Sequence, residues 1–133
     1  MKTAKILMLL VFALASKAMA QDRIGDFTRS PNEHIINETN QQFVVRYIVG
    51  IITVQRGGPL AGALFEIQGP RPDRKVRRCR TDDNGRFKIG HVPPGTYRFK
   101  ATLMSFQSEM GTIIVSKNAA RTSEMKIEMP VGV

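Results

Sequence analysis

The sequence predicts an all-β fold, a seven-stranded antiparallel β-sandwich, on three observations. Apolar and polar residues alternate along short runs, most clearly in Arg86–Ile89, Thr96–Leu103 and Glu124–Met129. Turn signals rich in Gly, Pro, Asn and Asp recur about every 8 to 15 residues. Beyond the first 20 residues no apolar pattern of helical period appears.

Residues 1–20 have the make-up of an export signal. Lys2 and Lys5 form a positive start, Ile6 to Ala15 an apolar run, and Ala18-Met19-Ala20 a small-residue cleavage site before Gln21. That run is about half of the ~20 residues a membrane span needs, so no span is expected in the mature chain. The expected location is exported, periplasmic or secreted. Removing 20 of the 133 residues leaves 113, the size of one domain. Lys2, Lys5 and Lys17 leave with the signal, so 17 basic residues remain against 11 acidic ones, a net charge of +6.

Gln21 to Gln42 is polar and aperiodic, and reads as a flexible leader (residues 21–42) with a short helical turn near Asn32–Asn37. The domain proper is expected over residues 43–133. Phe43 to Val54 is rich in Val and Ile, and forms one long strand or two joined at a bend. Gly50 inside it marks a bulge or a close backbone approach. Arg56-Gly57-Gly58-Pro59 is a turn. In the next strand Ala63, Phe65 and Ile67 share one face, and Leu64, Glu66 and Gln68 the other. Gly69 to Asp73 breaks the chain before a basic strand, Lys75 to Thr81. Asp82-Asp83-Asn84-Gly85 then provides the side-chain-to-backbone bonds and positive-φ residue of a tight hairpin. Phe87 and Ile89 alternate with Arg86 and Lys88. After the Pro93-Pro94-Gly95 turn, Tyr97, Phe99, Ala101 and Leu103 form the apolar face of another strand. Ile113 and Val115 mark the following strand. Lys117 to Ala120 is a turn, and Met125, Ile127 and Met129 face inward from the last strand.

Two motifs in order resemble a known family: Gly50-Ile51-Ile52 with Gly57-Gly58-Pro59-Leu60-Ala61-Gly62-Ala63, and Thr81-Asp82-Asp83-Asn84-Gly85-Arg86-Phe87 with Val92-Pro93-Pro94-Gly95-Thr96-Tyr97. Together they are similar to the carboxypeptidase regulatory-like domain, a transthyretin-like (prealbumin-like, Ig-like) β-sandwich, over roughly Tyr47 to Met129. Ser105-Phe106 stands where the family commonly has a Gly-aromatic pair. The resemblance implies that Phe87 and Tyr97 are core side chains and that the module is non-catalytic. It stands beside a peptidase, at the start of an outer-membrane receptor, or alone, and here it is expected alone.

The candidate chemistry is sparse. Cys79 is the only cysteine, so no intramolecular disulfide forms, and it is expected to be a buried small apolar residue. Five positive charges flank it and would lower its pKa if it were exposed. His34, His91, Tyr47 and Tyr97 match in type the iron ligands of intradiol dioxygenases, but no two lie close in sequence, and surface or core roles are expected. A Cys79–His91 nucleophilic pair lacks an orienting residue. Asp82 to Gly85 lacks the later ligands of a calcium loop. Hydroxyisourate hydrolases share the transthyretin-like fold, but their Tyr-Arg-Gly-Ser ending is missing here. No catalytic residue, metal or cofactor is therefore expected.

The remaining candidate is an anion-binding surface of Arg71, Arg74, Lys75, Arg77, Arg78 and Arg80, +5 over ten residues with Asp73 counted. Arg86, Lys88, Arg98 and Lys100 are expected to join it from neighbouring strands. The functional expectation is a non-enzymatic envelope module with a structural role, or one binding a protein or anionic glycan. Its alternatives are binding of an acidic partner through residues 71–80, and a small hydrolase or metal enzyme on the same scaffold. Nucleic acid is not the expected partner, because few outward aromatics are available to stack on bases.

Overall fold

The computed structural model describes residues 27–29, 35–70 and 75–132. They form eight strands: β1 (Ile36–Val45), β2 (Ile48–Val54), β3 (Leu64–Gln68), β4 (Val76–Arg80), β5 (Arg86–Ile89), β6 (Gly95–Thr102), β7 (Ser108–Val115) and β8 (Met125–Met129). A five-stranded sheet in the order β1-β7-β6-β3-β4 packs on a three-stranded sheet in the order β5-β2-β8. The all-β sandwich is as the sequence predicts. The expected export signal, including Ala20 and Gln21, lies outside the described residues, as do His34, Arg71 and Arg74.

Period-two alternation explains the core. β5 and β8 bury every second residue, which sends Phe87, Ile89, Met125, Ile127 and Met129 inward. From the other sheet come Phe65, Ile67, Tyr97, Phe99, Ile113 and Val115. Phe65 and Phe87 stack across the two sheets with ring centroids 4.0 Å apart, and Phe99 lies 5.9 Å from Phe65. Each such side chain contributes about 1.5–3 kcal/mol on burial.

The topology departs from the antiparallel, seven-stranded expectation in three respects. First, β1 pairs with β7 and β2 with β8 in parallel, from Ile36↔Ser108 and Gly50↔Met125 onward. Second, residues 36–42, expected as flexible leader, belong to β1. Their polar sequence shows no alternation because β1 is an edge strand with an irregular register between Glu38 and Gln42. Third, the Asp82–Gly85 turn is no hairpin. β4 pairs with β3 and β5 with β2, so the turn carries the chain from one sheet to the other. Its local chemistry is still as expected: Asp82 Oδ1 accepts from the amides of Asn84 and Arg86, and Gly85 has a φ of +74°.

The chain also changes sheets between β1 and β2, and the bend falls at Arg46-Tyr47 rather than at Gly50. Gly50 sits inside β2 because β8 and Phe87 come so close. A Cβ there would lie 2.4 Å from the Met125 carbonyl oxygen and 2.6 Å from Phe87 Cζ. Another change of sheet, from β5 to β6, runs through Gly90 to Pro94.

Candidate binding pocket

The Arg46-Tyr47 bend, the Gly90–Pro94 loop and the chain leaving β7 meet at one end of the sandwich and enclose a pocket of about 380 Å³. Its floor is apolar: Ile48, Ile89 and Val115 are the inward residues that end their strands. Its sides include Tyr47, half exposed, with Val92 and Pro94. Arg46, Lys88 and Lys117 bring three positive charges to it, from three different strand ends. No carboxylate lines the pocket, and none of the three cations forms an ion pair among the described residues. The Arg46 guanidinium lies 5.9 Å from the Tyr47 ring centroid, a cation–π distance.

One wall is held in an uncommon backbone state. His91 has a φ of +52°, in the left-handed region that only a few per cent of non-glycine residues enter, His among the more frequent of them. The Arg77 guanidinium holds it there, donating to the carbonyl oxygens of Gly90 at 2.6 Å and His91 at 3.2 Å. Beneath the same loop the Tyr97 hydroxyl donates to the Pro93 carbonyl at 2.6 Å. Burial pushes the Tyr97 phenol above its ordinary range, with the positive charge of Arg77 working against that.

The described residues of the basic strand divide between its two faces. Arg77 and Cys79 sit opposite Ile67 and Phe65 and share their inward face, whereas Arg78 and Arg80 face out. Arg77 is spent on the loop. Arg78 Nε donates to Glu66 Oε2 at 2.7 Å, and Arg80 donates to the Gly62 carbonyl at 3.1 Å. Lys75 is exposed. The neighbouring cations divide between the sheets, since Arg86 and Lys88 are on β5 and Arg98 and Lys100 on β6. Arg86 pairs with Glu124 and Arg98 with Glu38, and Lys100 is buried. Cys79 is half-buried, and burial raises its thiol pKa, with a backbone hydrogen bond at Lys88 opposing. The flanking charges do not produce the lowering expected for an exposed thiol. Of the four His and Tyr residues weighed as metal ligands, Tyr47 and His91 meet at the pocket, while Tyr97 is in the core.

Sequence reasoning missed Arg46 and Lys117 altogether and placed Lys88 on the wrong surface. Each lies at or near a strand end, and the changes of sheet after β1, β5 and β7 bring them together.

Comparison with known proteins places this architecture. The carboxypeptidase regulatory-like domain pattern matches residues 47–130, well over half of the chain. The chain belongs to the carboxypeptidase regulatory-like domain family. As in the resemblance noted above, Phe87 and Tyr97 of this domain are core residues. No curated protein is similar in sequence. Solved structures similar to this carboxypeptidase regulatory-like domain chain include 3-chlorocatechol 1,2-dioxygenase from Rhodococcus opacus (15% identity, 80% of this chain and 70% of that one, TM-score 0.43). Chlorocatechol 1,2-dioxygenase from Pseudomonas putida is another (10% identity, 80% and 70% covered, TM-score 0.45). Hydroxyquinol 1,2-dioxygenase from Pseudomonas putida is a third (12% identity, 94% and 75% covered, TM-score 0.46). The expectation of a non-enzymatic envelope module is withdrawn, and these neighbours carry no argument in its place. At such distance they assign no chemistry to this chain. Arg77, Arg78 and Arg80 each make a contact within the chain, whereas Arg71 and Arg74 lie outside the described residues.

Proposed function

We propose that this domain captures a small organic anion, a compact apolar or aromatic body carrying a carboxylate or phosphate, in the pocket between Tyr47, Lys88 and Lys117. The observation that carries the reading is the unbalanced charge: three cations surround an apolar floor and no carboxylate among the described residues answers them. About 380 Å³ falls within the usual range for small-molecule pockets. An apolar floor takes the body of the ligand out of water, and the cations at the rim orient its charged end. Tyr47 offers a ring face to an aromatic body.

The test is titration of the full chain with benzoate, and with uncharged benzyl alcohol as control, followed by isothermal calorimetry and amide chemical shifts. Benzoate is expected to shift the amides of residues 46–48, 88–92 and 115–117, with an affinity that falls as salt rises. The Lys88→Glu, Lys117→Glu double variant is expected to lose at least tenfold of it. Equal binding of benzyl alcohol, or no saturable shift, would overturn the reading. Export belongs to the same proposal and is supported by the charged, apolar and small-residue order of residues 1–20. A periplasmic form beginning at Gln21 on N-terminal sequencing is the expected result.

A further inference from the structure

A second site lies on the outward face of the five-stranded sheet, and none of its residues lines the pocket. Alternation should leave that face to water, yet Glu66 on β3 is 0% exposed and Lys100, its register partner on β6, only 2%. A charged pair this deep on a sheet surface requires a cover that satisfies both groups. Here the cover includes Phe27–Arg29. The Thr28 amide donates to Glu66 Oε1 at 3.0 Å and Oε2 at 3.2 Å, and its hydroxyl donates to Oε2 at 3.1 Å. The Thr28 carbonyl in turn accepts from Lys100 Nζ at 2.9 Å. Arg78, from β4 on the other flank of β3, completes the carboxylate's set at 2.7 Å.

All three polar groups of one residue are therefore read at once: its N–H, its hydroxyl and its C=O. A carboxylate, an ammonium and a guanidinium from three adjacent strands do the reading. Only Thr or Ser offers a hydroxyl in that place, and a Glu–Lys pair fixes the direction of the bound backbone, since the N–H must face Glu66 and the C=O must face Lys100. The strength of these bonds comes from charge on the protein side.

We propose that the Glu66–Lys100–Arg78 face is a recognition site for an extended peptide segment centred on Thr or Ser, and that residues 27–29 of this chain occupy it in cis. Residues 27–29 are thus a strap bound side-on, a resident ligand of the sheet. Its hold depends on the hydroxyl of one residue.

The test uses the full chain and its Thr28→Ala and Thr28→Ser variants. Trypsin cleavage after Arg29 reads the seated fraction, while far-ultraviolet circular dichroism and the thermal midpoint confirm that each variant keeps its fold. Cleavage of Thr28→Ala is expected to be about tenfold faster than wild type, and that of Thr28→Ser to stay within about twofold. A synthetic peptide with the sequence of residues 24–32 then probes the site in trans. It is expected to shift the amides of Glu66, Arg78 and Lys100 in the Thr28→Ala chain and, because the site is already filled, to do so at least tenfold more weakly in wild type. A peptide carrying Thr28→Ala is expected to produce no shift. The same cleavage rate in all three chains would overturn the proposal. So would shifts from the Ala peptide as large as those from the Thr peptide, or no shift from the Thr peptide in the Thr28→Ala chain. None of these readouts involves the pocket, so benzoate binding can fail while the strap stands.

Discussion

At the scale of single residues the fold carries two identifiable local costs. The Thr102 hydroxyl is buried with no hydrogen-bond partner, so it has lost its water and gained nothing for it. Replacement by Val keeps the shape and removes the orphaned group. Thr102→Val is expected to raise unfolding free energy by about 1 kcal/mol, measured by urea denaturation. The second cost is Glu109, whose carboxyl is raised above its ordinary value by burial, only partly offset by the Asn37 Nδ2 donor 3.1 Å away. A raised pKa in the folded state means that folding favours the protonated form. The stability this supplies is complete below the ordinary carboxylate pKa and is lost as pH rises through the folded-state value. Glu109→Gln, neutral at every pH, should therefore melt higher than wild type at pH 7. The gap should close as pH falls below about 4, which thermal melts across that range will check. Both costs escaped the sequence reading because burial on an edge-ward or outward position depends on what covers it. The same holds for Glu66 and Lys100, which alternate into an outward register and are then sealed by Thr28.

At the scale of elements, β2 shows why one glycine was read correctly in kind and incorrectly in place. A Gly among Val and Ile signals either a break or a close approach, and Gly50 is the second. The break comes four residues earlier, where Arg46-Tyr47 gives no composition signal. Gly50→Ala would push a methyl to within 2.4 Å of the Met125 carbonyl and 2.6 Å of Phe87, at the joint of β2, β5 and β8. A loss of about 3 kcal/mol is expected in urea denaturation. Gly58→Ala, where a Cβ meets nothing within 4 Å, is the matched control and should stay within about 0.5 kcal/mol. Strands with strict alternation were legible almost to the residue, β5 and β8 above all. β1 was not, since a polar edge strand held by a parallel partner leaves no periodic trace. The Asp82–Gly85 turn was legible as a turn but not as a crossing, because Asp82 and Gly85 serve the same local bonds whichever sheet the next strand joins.

At the scale of the whole molecule, the pocket is assembled where the chain changes sheets. Arg46, Lys88 and Lys117 lie up to 71 positions apart in the sequence, and no local pattern links them. The basic run at residues 71–80 is contiguous in sequence, and among its described residues Arg77 braces a loop, Arg78 pairs with Glu66 and Arg80 bonds to the Gly62 carbonyl, while Arg78 and Arg80 still face out. The parallel pairing of β2 with β8 carries a consequence for how the chain comes into being. Gly50 meets Met125 only after 75 further residues have been made, and Met125, Ile127 and Met129 supply one flank of the interior. A nascent chain still attached to the ribosome lacks that flank, and contacts so distant in sequence form slowly. The interior therefore closes only once residues 125–129 have been synthesised.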